Sequence, residues 1–273
     1  MYKTKGNQLL SIIIPTRNSA LSIAETLQSI LAQTYKNIEV LVLDAVSNDA
    51  TCEIVNGFSV KYSFITLVSE KDKGVYDAMN KGITLSKGDY LYFMGSDDVF
   101  YANDTLEKVF TKENLSLDVI YGDVQFKNCK RIHSGESNLQ KLVNDQISIC
   151  HQAIFYSKQT FKIIGNYNLK YFIHADYDFN IRCFQNKELK IKYINTIVAI
   201  FNETGLSGTK SNADGFHTEL TAFNLSQKYN IVDLYSENKK LKENFKKIIK
   251  SKEYRFGSLI LKPLKKIKRV LFK

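Results

Sequence analysis

The sequence predicts an α/β domain, built on a mainly parallel sheet flanked by helices, with a basic helical tail behind it. Two apolar runs rich in β-branched residues, Leu10–Ile14 and Ile38–Asp44, bracket a stretch of helical period and together read as a βαβ unit. Both runs are continuous rather than alternating, as strands covered on two faces require. Charge supplies the third observation. Residues 239–273 carry fourteen Lys and Arg against two Glu, a net +12, while the whole chain carries +10, so residues 1–238 are close to neutral.

Each element follows from its residues. Leu10–Ile14 is a buried strand ended by Pro15, and the helix expected over 20–33 places Ile23, Leu27, Ile30 and Leu31 on one face, with Asn18 or Ser19 as N-cap. Ile38–Asp44 is the second strand and ends in a carboxylate. In an open parallel sheet ligands sit beyond the carboxyl ends of the strands, which makes Pro15, Thr16 and Asn18, together with Asp44, candidate ligand contacts. A third strand, Phe64–Val68, runs into a polar loop and a helix start that suits an anion, where Lys73 adds a positive charge; Gly82 marks an interruption near the end of that helix. A fourth strand, Asp89–Met94, leads into Gly95-Ser96-Asp97-Asp98. Two adjacent carboxylates at a buried strand end repel each other unless a cation compensates. Mg²⁺ or Mn²⁺, completed by phosphate oxygens and water, is the compensation this chemistry favours. An Asp-Asp turn capping the helix near Asn103 is the alternative.

Composition bounds the rest. With 273 residues, 44% hydrophobic, 24% charged and two prolines, the chain is an ordinary globular protein. Cys52, Cys129, Cys150 and Cys183 are widely spaced without a CxxC pair or a secretory leader, so a reducing cytoplasm is expected rather than a disulfide framework or zinc site. No apolar run reaches the roughly 18 residues of a spanning helix. The basic tail repeats apolar residues at helical spacing, Leu241, Phe245, Ile248 and Ile249, then Ile260, Leu264, Ile267 and Leu271. That pattern fits an interfacial helix that holds the protein against the inner face of the cell membrane, or a helix packing its stripe on the domain. Nucleic acid ranks third for the tail and is not an expected partner, since residues 1–238 are near neutral, while a nucleic-acid-binding protein that uses the basic tail stays as an alternative function.

In its order of motifs the chain resembles glycosyltransferase family 2. The resemblance rests on Ser11–Asn18, Leu27–Tyr35 with Ile38-Glu39, Asp44–Thr51, Asp72–Gly82 and Gly88–Asp98, about the first hundred residues; Asp72–Gly82 is similar to a branch that works on bacterial surface polysaccharides. It implies an inverting enzyme of the GT-A fold, a mixed, mainly parallel, Rossmann-like sheet. Residues 1–225 would form the transferase domain, with 1–100 its nucleotide half and 101–225 its acceptor half, and 226–273 the tail. The nucleotide would be held by Pro15, Asp44, the Lys73 region and Asp97, and the metal by Asp97 and Asp98, with Asp98 the more direct ligand. The donor would be a nucleoside diphosphate sugar, and the acceptor a glycan or a lipid-linked glycan. Ala45 stands where many relatives have an aspartate that contacts the base, so UDP is only a default; Gly95 replaces the aspartate that often opens the metal motif.

An inverting transfer needs one carboxylate to take the acceptor's proton. His174-Ala175-Asp176-Tyr177-Asp178 is similar to the family's acceptor-side Glu-Asp motif at a helix start, with Ala175 departing from it, which makes Asp176 the candidate base and Asp178 its competitor. His151 and His174 could line the acceptor cleft, but a lone histidine is more often a structural residue, and both stay outside the catalytic set. Loop 203–212, with Lys210, is either a closing loop over the nucleotide or a linker. A dehydrogenase is a poor alternative, since Pro15-Thr16-Arg17-Asn18 stands where GxGxxG would follow the first strand. An inert sugar-nucleotide binder would share every feature except the reason for Asp176.

Overall fold

The structure is a computed structural model and describes residues 8–133, 135–203, 214–228, 239–244, 246–247 and 250–251. The chain divides into two compact units, Met1–His217 and Thr218–Lys273. In chain order the elements are β1 (Leu10–Thr16), α1 (Ile23–Leu31), β2 (Ile38–Asp44), α2 (Thr51–Ser59), β3 (Ile65–Ser69), α3 (Val75–Leu85), β4 (Tyr90–Phe93), β5 (Val99–Phe100) and α4 (Thr105–Val109). There follow β6 (Val119–Phe126), β7 (Ile132–His133), α5 (Leu139–Val143), β8 (Ile154–Ser157), α6 (Lys158–Ile164), α7 (Ala175–Gln185), β9 (Ile191–Phe201) and α8 (Phe216–Lys228).

The strands form one sheet in the order β3-β2-β1-β4-β8-β6-β9-β5, with β7 paired to β6. β1 to β4 are mutually parallel, with Ile12 opposite Val40 on one side and Tyr92 on the other. β8 enters antiparallel to β4 and to β6, and β9 then runs parallel to β6. The sheet is therefore mixed, as the GT-A resemblance implies.

Alternation along β1 shows why its run is continuous. Ile12 and Ile14 are fully buried in one core with Ile23, Leu27 and Ile30 of α1, and each such side chain stabilises by about 1.5–3 kcal/mol. Ile13 points to the other face, where α3 lies so close that a Cβ on Gly82 would come within 2.4 Å of its Cγ2. Gly82 therefore does not interrupt α3. The helix continues to Leu85, and the glycine is the residue that lets helix and strand approach.

The first helix begins at Ile23, later than its apolar pattern suggests, because Ser19–Ser22 forms a turn in which the N–H groups of Ser22 and Ile23 both donate to the Ser19 carbonyl. Neither Asn18 nor Ser19 caps it with a side chain. Asn18, at φ 53°, accepts from the Asn48 N–H, and the Ser19 hydroxyl meets that of Ser96.

Within the second unit, residues 239–244 are helical, with Leu241 66% exposed. The other apolar tail positions and loop 204–213 with Lys210 lie outside the described residues. Among the described residues no helix is long and apolar enough to cross a membrane.

Candidate active site

The sheet order reverses at β1: β2 and β3 lie to one side and β4 to the other, so the loops after β1 and β4 part and leave a crevice. A cavity of about 590 Å³ fills it. Pro15, Asn18 and Ser19 line it from the β1 side, Asp97 and Asp98 from the β4 side, and Tyr76 from the start of α3. A hydroxyl contact of 2.7 Å between Ser19 and Ser96 ties the two loops together.

Asp98 is 1% exposed. Its Oδ1 accepts the Asn202 N–H at 2.8 Å, and its Oδ2 accepts the Gln152 amide at 2.8 Å and the Gly95 N–H at 3.2 Å. Burial pushes its carboxyl up to about 6, and the charge of Asp97 adds to this, against the donors from Asn202 and Gln152. Asp97 accepts the Asn202 side-chain amide at 2.7 Å. Among the described residues no lysine or arginine forms an ion pair with either carboxylate. The glycine before them has a steric reason: a Cβ on Gly95 would lie 2.4 Å from Asp98 Oδ2, so an aspartate at 95 does not fit this arrangement.

A second chamber of about 390 Å³ adjoins the first and shares Tyr76, His151, Gln152, Ile173 and Phe201 with it. Asp176, in the first turn of α7, lines this chamber. Its Oδ2 lies 3.4 Å from His151 Nδ1 and its Oδ1 2.7 Å from the Tyr76 hydroxyl. Burial opposes its charge, but His151 and Tyr76 outweigh burial and hold the carboxyl below the ordinary 3.8. Tyr76 has one proton and two acceptors, since its oxygen is also 2.6 Å from the Ile173 carbonyl. Burial raises the phenol well above its usual range, so that proton is not lost. Its O–H can donate to an ionised Asp176, or turn to Ile173 and accept a proton held on Asp176.

The competitor Asp178 pairs with Arg182 at 2.9 Å, and Arg182 in turn donates to the carbonyls of Ile164 and Asn166. Asp178 lines neither chamber. On a helix, residues two apart point in different directions, and here that separates the two carboxylates.

Of the residues the sequence nominated, Pro15, Asn18, Asp97 and Asp98 line the first chamber and Asp176 the second. Thr16, Asp44 and Lys73 line neither. Thr16 is 6% exposed and its hydroxyl has no partner. Asp44 is turned into its own loop, where Ser47, through N–H and hydroxyl, Ser69 and Cys52 all donate to it; these donors lower its pKa despite burial. Lys73 is exposed, and its backbone N–H donates to Asp77. Sequence reasoning missed Gln152, Asn202 and Tyr76 and set His151 aside. His151 and Gln152 lie in a short helical turn, His151–Ala153, just before β8, whose antiparallel pairing with β4 carries them to the end where Asp97 and Asp98 sit.

Comparison with known proteins places the chain in a family and a fold. Residues 11–163 match the family model described as glycosyl transferase family 2. Over 205 residues, 74% of this chain and 80% of the relative, the chain is 42% identical to a PGL/p-HBAD biosynthesis glycosyltransferase of Mycobacterium tuberculosis. It is 29% identical to an uncharacterized glycosyltransferase of Haemophilus influenzae over 80% of this chain and 87% of that one. Among solved structures it is similar to S. aureus TarS 1-349 in complex with UDP-GlcNAc, at TM-score 0.61 and 21% identity over 75% of this chain; it spans 61% of that chain's length. It is also similar to the mannosyltransferase PcManGT from Pyrobaculum calidifontis in complex with GDP-Man and Mn²⁺, at TM-score 0.56 and 15% identity, covering 93% of this chain and 84% of that one. These two likenesses establish the GT-A fold.

Proposed function

The chain belongs to glycosyltransferase family 2, and from that premise we propose that it moves a sugar from a nucleoside diphosphate sugar to an acceptor hydroxyl, with inversion, in the synthesis of a cell-surface glycan or glycolipid. One observation carries the reading: Asp97 and Asp98 face one chamber, Asp176 faces the next, and His151 and Gln152 form part of the wall between them. The donor occupies the first chamber and the acceptor the second, so the acceptor oxygen meets the anomeric carbon from the side opposite the leaving diphosphate. Asp176, kept ionised by His151 and Tyr76, accepts the acceptor's proton on its carboxylate. Tyr76 then has an oxygen lone pair for the protonated acid while its own O–H turns to Ile173.

The residues around Asp98 fit a hard divalent cation: a buried carboxylate with a raised pKa, beside a second carboxylate and with no lysine or arginine ion-paired to either among the described residues, is a donor set that Mg²⁺ or Mn²⁺ would complete with phosphate and water. Asp98 and Asp97 would hold it, and bound there it would neutralise charge on the departing diphosphate. UDP is the default nucleotide, in keeping with TarS 1-349, whose structure holds UDP-GlcNAc, and PcManGT, crystallised with GDP-Man, makes GDP the first alternative. The relatives named for PGL/p-HBAD biosynthesis support a cell-surface glycolipid or glycan as acceptor. The tail, residues 239–273, provides the positive charge with which the protein would rest on an anionic membrane surface.

The test is a calorimetric screen of UDP, GDP, CDP and dTDP, each with and without Mn²⁺, on the wild type and on Asp98→Ala. One nucleotide binds only with metal and loses binding in Asp98→Ala. If none binds under any condition, the donor assignment fails.

A further inference from the structure

The four histidines of the chain, His133, His151, His174 and His217, all line the second chamber. Each already directs one ring nitrogen at a group of the protein. His133 Nε2 is 2.9 Å from the Ser148 carbonyl, His151 Nδ1 is 3.4 Å from Asp176, His174 Nδ1 is 2.9 Å from Asp214, and His217 Nδ1 is 3.1 Å from the Gln146 side-chain oxygen. All four partners are acceptors, so the nitrogen facing them is the one that carries hydrogen. In a neutral imidazole the other nitrogen is then a lone-pair acceptor. Burial and the neighbouring His174 hold His217 below the ordinary 6.5, which favours the neutral ring.

Charge points the same way. No lysine or arginine lines the chamber among the described residues, and its one carboxylate is Asp176. Arg131 lies over the Phe126 ring at 4.9 Å from the centroid and is itself outside the lining. Phe126, Tyr177 and Phe201 supply flat apolar walls. A phosphate or carboxylate brings only acceptors and a negative charge, and would meet the Asp176 carboxylate and the lone pair of the His217 ring. A ring bearing hydroxyls brings donors for the imidazoles and an apolar face for the aromatic walls.

We propose that the acceptor group entering this chamber is an uncharged, hydroxyl-bearing ring, and that any phosphate or acid on the acceptor stays outside it. The inference rests on the reading of Asp176 as the base, and it names the acceptor class that base serves.

Because the chain has four histidines and all of them line the chamber, ¹⁵N-imidazole spectra of the full-length protein report its occupancy directly. At pH 7.5, phenyl β-D-glucopyranoside and phenyl phosphate are titrated separately, probes that share a phenyl ring and differ in the group attached. The His133, His174 and His217 signals decide, since these three line only the second chamber. The glucoside shifts them and phenyl phosphate does not. Ser148→Phe, a change at an exposed rim position, weakens the glucoside response at least tenfold and leaves nucleotide binding intact. A stronger response to phenyl phosphate, or no response to either probe, overturns the proposal. The nucleotide screen is read on the same samples. If no nucleotide binds but the glucoside still shifts these signals, the transferase reading fails while the chamber chemistry stands; if a nucleotide binds and the glucoside does nothing, this inference falls alone.

Discussion

Asp98 should make the metal-free protein more stable in mild acid. Its carboxyl is pushed from 3.8 to about 6 by burial, with the charge of Asp97 adding to the effect. A folded-state pKa above the unfolded one means that the fold holds the proton more tightly, so this group's contribution is fully present below 3.8 and is lost as the pH rises through about 6. The whole difference is worth about 3 kcal/mol at about 1.4 kcal/mol per tenfold, of which about 2 falls between pH 4.5 and 7.5. Other groups also act in acid. His217, depressed by burial, loses stability as the pH falls through 6.5, and Asp178, raised by burial, follows Asp98. The contributions of Asp44, Asp176 and Asp214, all lowered, fade only below 3.8. Comparison with Asp98→Asn cancels these groups. The amide meets two sets of donors with one acceptor oxygen and loses hydrogen bonding, but that offset does not depend on pH. Urea unfolding of both proteins without metal, at pH 4.5 and 7.5, should therefore show the wild type gaining about 2 kcal/mol over the variant at the lower pH. Two proteins separated by the same gap at both values would refute the burial argument, and with it the case that Asp98 is a charge awaiting a cation.

Asp176→Asn should lower kcat by about 10²–10⁴ while nucleotide affinity, measured by calorimetry, stays within a few-fold; an equal loss of both would remove the division between the two chambers. Tyr76→Phe keeps the ring against Tyr167 but takes a donor from the Asp176 carboxylate, so the acid limb of the kcat/KM profile should move to higher pH by about 1–2 pH units, the worth of a charge-assisted hydrogen bond; an unmoved limb would reduce the tyrosine to packing. Gly82→Ala should destabilise by about 1–3 kcal/mol in urea, because the new Cβ meets Ile13 Cγ2 at 2.4 Å; a neutral result would mean that helix and strand can move apart at little cost.

The parallel half of the molecule was legible because its signals are local. Ile38–Asp44 is the second strand to the residue, and a cavity beyond the carboxyl ends of β1 and β4 follows from strand direction alone. Asp44 shows where such reasoning stops. Sequence puts a carboxylate at the right strand end, yet four donors from Ser47, Cys52 and Ser69 turn it inward, and the direction of a side chain within its loop is a matter of tertiary hydrogen bonding. Gly95 is the converse case, a departure from the family pattern that suits this arrangement, in which Asp98 Oδ2 lies 2.4 Å from where its Cβ would be.

The other half of the site was hidden for a single topological reason. Gln152 and Asn202 lie 54 and 104 residues from Asp98 in sequence, and both bond its carboxylate. They arrive there through β8 running antiparallel beside β4 and through β9 pairing with β5, so that Tyr92 faces Phe155 and Val99 faces Ile200. Neither strand direction nor register is written in a short apolar run, since a four-residue strand such as Ile154–Ser157 carries the same pattern in either orientation. The histidines follow the same logic. His151 and His174, each taken alone, read more readily as structural, and all four histidines do bond a protein group; their convergence from four separate segments on one chamber is a property of the fold.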